Sequence, residues 1–128
     1  MEVIEVYKCL CDPMRLRILN LLKHGPLCVC HLVEILDGEQ VKMSKQLRYM
    51  KSLGMVEGER QAQWMVYRLA EPDHRLLAEN LKCLQDCAAD EFFFREDLQR
   101  REALLNRLRS EPSSCVDALL SPAVDCCS

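Results

Sequence analysis

Residues 26–69 carry the pattern that most restricts the fold of this chain. A helix with apolar side chains at helical spacing ends at Asp37-Gly38, where both residues favour a turn. A second helix is predicted over residues 40–53, because its apolar residues recur at steps of four, three and three. These are Met43, Leu47, Met50 and Leu53. The stretch is therefore expected to hold two consecutive helices joined by a short turn.

A β-hairpin is predicted to follow the second helix. Gly54 stands where a helix C-terminus favours a residue with left-handed backbone. Residues 55–60 and 64–69 are short runs typical of strands, and the polar tip 61–63 joins them. Helix, turn, helix and hairpin is the order of a winged helix-turn-helix, whose second helix enters the major groove of DNA. The fold class is therefore predicted to be mainly α with a small β-hairpin.

The basic charge of the chain is concentrated on this second helix and hairpin. The whole chain of 128 residues has a net charge of −3, which alone argues against nucleic-acid binding. Residues 40–70 hold six Lys or Arg against two Glu, a local charge of +4, whereas residues 1–39 carry −2 and residues 71–128 carry −5. A basic helix face that is merely solvated is the alternative, but Gln and Ser on the same face can also hydrogen-bond base edges.

We divide the predicted DNA-binding residues by the part of DNA they would contact. Those expected to approach base edges in the major groove are Gln40, Ser44, Lys45 and Gln46. Those expected to hold phosphates are Lys42, Arg48, Lys51, Arg60 and Arg68.

Three regions are expected along the chain. Residues 1–90 form the DNA-binding and dimerisation domain, residues 91–110 a helical extension, and residues 111–128 a loosely ordered, cysteine-containing tail. The acidic start Met1-Glu2-Val3 and the lack of an apolar run near ~20 residues predict a cytoplasmic protein without signal peptide or membrane span.

Two helices are predicted before the central stretch and one directly after it. Helices over residues 3–11 and 14–23 are separated by Asp12-Pro13, in which Asp12 is the N-cap and Pro13 the first helical residue. A further helix is expected over residues 73–89. Because helix-turn-helix proteins commonly dimerise to reach successive major grooves, we expect a homodimer built on the helices 3–11 and 73–89.

The chain carries nine cysteines, an unusual number without an export signal. They are Cys9, Cys11, Cys28, Cys30, Cys83, Cys87, Cys115, Cys126 and Cys127. In a reducing compartment they are better explained as thiols for metal or redox chemistry than as a disulfide framework, and their odd number agrees.

Five segments together resemble the ArsR/SmtB-type bacterial metalloregulatory repressors. They are residues 8–19, 27–32, 43–47, 53–56 and 64–69, within a similarity that covers roughly residues 3–90. The Leu-Cys-Val-Cys element at residues 27–30 resembles the arsenic-type and cadmium/lead-type members. The resemblance implies a dimeric repressor that holds its operator when metal-free and releases it on binding the inducer.

The chain departs from the family pattern at three places. Val33 stands where arsenic-type repressors carry a third cysteine, and Asp73-His74 does not keep the spacing of the ligands on the family's last helix. The N-terminal cysteine arm of cadmium/lead sensors is expected to be absent, because the first helix is predicted so close to residue 1.

The metal-ligating residues are predicted to be Cys28, Cys30, Cys83 and Cys87. Trivalent arsenic or antimony takes about three thiolates, and soft divalent ions take three or four. Cys28 and Cys30 are two apart and would not share a face of a regular helix. For one ion to bind both, the first turn of that helix must loosen or the pair must lie at its cap. Cys83 and Cys87 are four apart and would share a face. This pair could form a site of its own or complete one with Cys126 and Cys127 or with Cys115.

Other roles remain open for these side chains. Cys28 and Cys30 could be small apolar core residues, and the pair Cys83 and Cys87 could pack in a dimer interface. Cys126 and Cys127 could be without function. The remaining expectations are core positions for Cys9 and Cys11 and a surface position for His31.

The sequence shows no catalytic constellation, since His24, His31 and His74 stand in unrelated places without a Gly-rich phosphate loop. We therefore expect a repressor, not an enzyme, with As(III) or Sb(III) as inducer and no cofactor needed for DNA binding. The alternatives are a redox or persulfide input, a Cd(II) or Pb(II) input, and a thiol-rich metal-buffering or protein-interaction module of the same shape.

Overall fold

The computed structural model describes residues 3–71, 75–88 and 91–110, without the side chains of residues 76, 84–88 and 92. These residues form six helices and one antiparallel three-stranded sheet, which confirms the mainly α winged helix-turn-helix fold. In chain order the elements are α1 (Val3–Leu10), α2 (Pro13–Leu22), β1 (Leu27–Cys28), α3 (Val29–Leu36), α4 (Gln40–Ser52), β2 (Val56–Gln61), β3 (Trp64–Leu69), α5 (Arg75–Ala88) and α6 (Phe92–Arg109).

The helix ends follow the local chemistry of the sequence. The Asp12 carboxylate accepts hydrogen bonds from the backbone N–H groups of Met14 (2.8 Å) and Arg15 (3.2 Å), as predicted for the N-cap of α2. Asp37 ends α3 in the left-handed conformation (φ 52°), and Gly54 follows α4 with φ 77°. These two left-handed residues set the direction of the chain before and after α4.

The sheet contains one strand more than the predicted hairpin. Its strand order is β1-β3-β2, and β1 pairs with β3 through Leu27 opposite Tyr67 and Cys28 opposite Val66. Two residues are too short to show the alternation by which strands are recognised in sequences, so β1 could not be predicted. Its importance is positional, because it fixes the backbone of Cys28 against the hairpin.

A large apolar core joins the helices and the sheet. The predicted core residues of α4 are confirmed for Met43, Leu47 and Met50, and α6 adds Leu104 and Leu105 to the same core. Within the described residues, no helix is long and apolar enough to cross a membrane.

Helix α6 is held to α2 and α3 by polar contacts as well as apolar ones. The fully buried Asp97 carboxylate accepts two hydrogen bonds of 2.8 Å from Arg17 of α2. On α3, Glu34 accepts bonds of 2.9 and 3.1 Å from Arg107, and Arg100 donates to the Ile35 carbonyl at 3.3 Å. The helix that precedes α4 is therefore fixed from its outer side by α6.

The hairpin tip holds a non-glycine residue with left-handed backbone. Gln61 pairs with Trp64, so the loop is only Ala62 and Gln63, and Ala62 has φ 57°. Such a tight turn favours glycine at its first central position, because a Cβ there crowds the following carbonyl.

Replacing Ala62 with glycine is therefore expected to stabilise the protein by about 0.5–1 kcal/mol, after the entropy cost of glycine in the unfolded chain is subtracted. The midpoint of thermal unfolding measures this gain. Ala103→Gly, on the exposed face of α6, is the matched control and should lower stability by about 1 kcal/mol. A lower midpoint for Ala62→Gly as well would show that the turn is not strained.

Candidate thiol centre and nucleic-acid interface

Cys28 marks the point where β1 ends and α3 begins. Its backbone is extended (φ −75°, ψ 158°), and it occupies the N-cap position of α3. The pairing of Cys28 with Val66 keeps this residue in strand geometry, whereas Val29 starts the helix. Cys28 is thus outside the regular helix, and Cys30 lies in its first turn.

Three side chains converge at this strand-to-helix junction. One ligand atom each from Cys28, Cys30 and His31 lies within 4.8 Å of the other two. On a regular helix, residues two apart point in different directions. Cys28 and Cys30 can approach each other here because the backbone of Cys28 is extended. Cys28 and His31 are buried and Cys30 is exposed, so the group is reached from one side.

The expected surface position of His31 is wrong, because its side chain is 3% exposed. The His31 Nδ1 accepts a hydrogen bond from the Cys28 backbone N–H at 3.2 Å, which forms part of a capping box at the start of α3. Burial lowers the pKa of His31 to about 4. The imidazole is therefore neutral near pH 7, the form in which histidine binds metal ions.

A metal ion on His31 would weaken the cap of α3. Coordination through Nδ1 replaces the bond that this atom accepts from Cys28. Coordination through Nε2 moves the ring proton to Nδ1, which then cannot accept. Either route couples ligand binding to the first turn of the helix that leads into α4.

The donor set defines which ions fit this group. Two thiolates and one imidazole suit soft and borderline divalent ions such as Cd(II). Inorganic As(III) takes about three thiolates, and this group supplies two of them. The described residues therefore fit a divalent ion with three donors and a trivalent arsenic centre with two.

His31→Gln separates the capping role of this residue from its role as a ligand. Glutamine accepts at the N3 position of capping boxes, so the free energy of unfolding should change by less than about 1 kcal/mol. Loss of the imidazole should weaken Cd(II) binding by roughly tenfold or more. The thiolate-to-cadmium absorption in the ultraviolet measures this affinity.

The matched control is His24→Gln, whose exposed side chain lies outside the group. It should bind Cd(II) as the natural protein does. Equal Cd(II) affinities of the two variants would remove His31 from the ligand set.

The predicted DNA-binding face of α4 is accessible. Its apolar stripe is buried in the core, and the opposite face points to solvent. The exposed members are Gln40, Lys42, Lys45, Arg48 and Lys51, and the half-buried ones are Ser44 and Gln46.

The cations of this face and the hairpin differ in their ion pairing. Arg68 donates to Glu59 across the hairpin at 3.4 Å, and exposed Lys42 lies 3.9 Å from Glu39. Among the residues that the structure describes, Arg48 and Arg60 form no ion pair. These two guanidinium groups are therefore available for anionic partners.

A groove connects the cluster of Cys28, Cys30 and His31 with the exposed face of α4. It has a volume of about 540 Å³, is open to solvent, and lies between the start of α3, the polar face of α4 and the hairpin. Its lining residues are Cys28, Val29, Cys30, Gln40, Ser44, Arg48, Arg60, Gln63, Trp64, Met65 and Tyr67. A ligand at Cys30 would thus occupy the same groove as four of the predicted DNA-binding side chains. We call it the thiol groove.

Among the described residues, the group contains no cysteine besides Cys28 and Cys30. Cys9 is buried as expected, and burial raises the pKa of its thiol, but the expectation that Cys11 is a core residue is wrong, because Cys11 is exposed. Cys83 is exposed on α5. The side chain of Cys87 lies outside the described residues, as do Cys115, Cys126 and Cys127.

Comparison with known proteins assigns the family. The family described as "Bacterial regulatory protein, arsR family" matches residues 12–58. The chain is 40% identical over 65 residues to the arsenic resistance transcriptional regulator ArsR1 of Pseudomonas putida, covering 50% of this chain and 51% of that protein. It is 34% identical over 82 residues to the arsenical resistance operon repressor of Bacillus subtilis, covering 62% and 78%.

A solved structure shows the same fold. The homodimeric winged helix-turn-helix DNA-binding domain from Mycobacterium bovis, a possible ArsR-family transcriptional regulator, superposes with a TM-score of 0.57 at 29% identity. The match covers 70% of this chain and 81% of that one. The chain spans 51% to 58% of the length of the first curated relatives it matches. The family match and the Bacillus relative, 78% of whose length this chain covers, together identify the family. This chain belongs to the arsR family of bacterial regulatory proteins, which are not enzymes.

Proposed function

We propose that the protein is a homodimeric transcriptional repressor that binds double-stranded operator DNA and releases it when As(III) or Sb(III) binds Cys28 and Cys30. The observation that carries the proposal is the thiol groove, in which both thiols adjoin side chains of the predicted DNA-binding face. The names of the Pseudomonas and Bacillus relatives support an arsenic-class inducer.

The DNA face combines base-reading and phosphate-binding side chains. Gln40, Ser44 and Gln46 present hydroxyl and amide groups able to read base edges, and Lys45 stands beside them on α4. Arg48, Lys51 and Arg60 would hold phosphates, and each neutralised phosphate releases counterions. Lys42 and Arg68 would also bind phosphates, after leaving their ion pairs with Glu39 and Glu59.

Release follows if the inducer binds the DNA-free form more tightly than the DNA-bound form. A trivalent arsenic at Cys28 and Cys30 would occupy the groove that Gln40, Ser44, Arg48 and Arg60 also line. It would also change the conformation of the first turn of α3, and α3 packs directly against α4. A difference of about 3 kcal/mol between the two forms changes operator affinity by more than a hundredfold.

The third thiolate for inorganic arsenic would come from elsewhere in the dimer. Cys83 and Cys87 of α5 are proposed as a second ligand pair, with Cys115, Cys126 and Cys127 as further donors. The imidazole of His31 instead favours a second candidate inducer, Cd(II), at the same group.

Exposed apolar side chains support the proposed dimer. Val3, Ile4 and Tyr7 on α1 are 49%, 62% and 46% exposed. Burying them against α1 and α5 of a second copy would remove this surface from water. The homodimeric Mycobacterium domain of the same fold agrees with this arrangement.

Operator binding tests the proposal. An operator is selected from a pool of random duplexes, and its fluorescence anisotropy is followed under anaerobic, reducing conditions during titration with As(III), Sb(III), Cd(II) or, separately, a polysulfide. We expect release by As(III) and Sb(III). Release by polysulfide alone would make the protein a redox switch, and failure to select any operator would make it a binding module of another kind.

Lys45→Ala is expected to weaken operator binding by roughly tenfold and to reduce the slope of log affinity against log salt by about 1, because one positive charge is lost from the DNA face and fewer counterions are released. As(III) binding should not change. Arg109→Ala, an exposed cation at the end of α6, is the control and should retain full operator affinity. Equal affinities of the two variants would remove Lys45 from the DNA face.

A further inference from the structure

We propose that the thiol groove binds the organic group of a monosubstituted trivalent arsenical, and that it favours an aryl group bearing a carboxylate. The proposal rests on the proposed function, since it needs Cys28 and Cys30 to bind trivalent arsenic. It adds a class of ligand, the organic arsenicals. It also assigns the choice among these ligands to the residues that line the groove, whereas the thiols bind the arsenic.

The number of thiols at the junction fits such a ligand. Inorganic As(III) has three exchangeable positions, whereas R–As(OH)2 keeps its As–C bond and has two. Cys28 and Cys30 have their sulfur atoms within 4.8 Å of each other. In the binding step two S–H and two As–O bonds break, two As–S bonds form and two water molecules leave, with no change in oxidation state.

The groove offers space directly beside those thiols. Its volume of about 540 Å³ lies within the roughly 300–1,000 Å³ typical of small-molecule sites. An arsenic atom held by Cys28 and Cys30 would direct its third substituent into this space or into solvent. An aryl group gains contacts only in the first case.

The lining matches an aromatic anion. Trp64 and Met65 are half-buried and supply an aromatic face and a polarisable thioether. The exposed guanidinium groups of Arg48 and Arg60 line the same groove and form no ion pair within the described part of the chain. Guanidinium groups bind carboxylates through paired, charge-assisted hydrogen bonds. A carboxylate on the ring is therefore the favoured substituent.

The single tryptophan of the chain is a built-in reporter, because Trp64 lies in the groove. Its fluorescence is titrated in the DNA-free protein with 4-carboxyphenylarsine oxide, phenylarsine oxide, methylarsonous acid and inorganic As(III). Measurements are made anaerobically, with a dithiol competitor to bring the affinities into range. The variants are Arg60→Gln, Arg48→Gln, Cys30→Ser and, as a matched control, Lys45→Gln, whose side chain is exposed on α4 but does not line the groove.

The carboxyphenyl compound is expected to bind about tenfold more tightly than the phenyl compound, and the phenyl compound more tightly than the methyl compound. The carboxylate preference should disappear in Arg60→Gln or Arg48→Gln and persist in Lys45→Gln. Equal affinities for all three organic compounds, dependent on Cys30, would overturn this inference while leaving the arsenic site intact. Unchanged arsenical binding in Cys30→Ser would instead refute the proposed thiol site itself.

Discussion

Replacing Cys30 with serine is expected to abolish release of the operator by As(III) while leaving the affinity of the metal-free protein for DNA unchanged. A serine hydroxyl does not replace a thiolate on a soft centre, so the As(III) affinity should fall by roughly a hundredfold or more. The exposed side chain of Cys30 is not needed for the core, which protects the fold of the variant. Operator anisotropy during As(III) titration measures both quantities on one sample.

Cys11→Ser is the matched control for this prediction. Cys11 is also exposed, but it lies in the turn between α1 and α2, away from the thiol groove. This variant should release DNA at the same As(III) concentration as the natural protein. If Cys30→Ser did the same and only Cys83→Ser failed to respond, the inducer site would belong to α5.

Replacing Arg17 with alanine is expected to destabilise the protein by about 3–5 kcal/mol. The Asp97 carboxylate is fully buried and accepts both of its 2.8 Å bonds from Arg17. Removal of the guanidinium group leaves a buried charge without its partner. Urea unfolding followed by circular dichroism measures the free energy of unfolding.

Two further variants show whether the loss arises from burial of the charge. Arg107→Ala breaks the pair with Glu34, but both side chains are more than half exposed, so the change should be about 0–1 kcal/mol. Replacing both Arg17 and Asp97 with leucine should recover most of the stability, because an apolar pair carries no desolvation penalty. Equal losses in Arg17→Ala and Arg107→Ala would contradict the assigned role of the buried pair.

The local features of the fold were predictable because local chemistry determines them. Asp12 before Pro13 specified the start of α2, and Gly54 specified the end of α4. The apolar spacing of Met43, Leu47 and Met50 identified which face of α4 is buried. Each of these signals lies within one or two helical turns of the sequence.

The features that escaped prediction depend on contacts between distant segments. The two-residue strand β1 exists only through its pairing with β3, and Arg17 and Asp97 are 80 residues apart. His31 is buried because of the way α3 packs. The polar side chain of His31 instead suggested a surface position. Its position three residues after an N-cap could have suggested a capping role, although Glu or Gln is usual there.

The candidate site was only partly predictable for the same reason. Cys28 and Cys30 could be predicted as ligands from the sequence. Their approach to each other could not, because it depends on the extended backbone of Cys28 in β1. The groove joining them to Arg48, Arg60 and Trp64 is formed by three elements that meet only in the folded chain.

The affinity of the protein for As(III) with and without saturating operator DNA tests the central claim most directly. Thermodynamic linkage requires that DNA weaken As(III) binding by the same factor by which As(III) weakens DNA binding. Equilibrium dialysis, with arsenic quantified by mass spectrometry, gives both dissociation constants. A markedly weaker As(III) affinity in the presence of the operator is the expected result. Equal affinities would show that the thiols of α3 and the DNA face of α4 are not coupled.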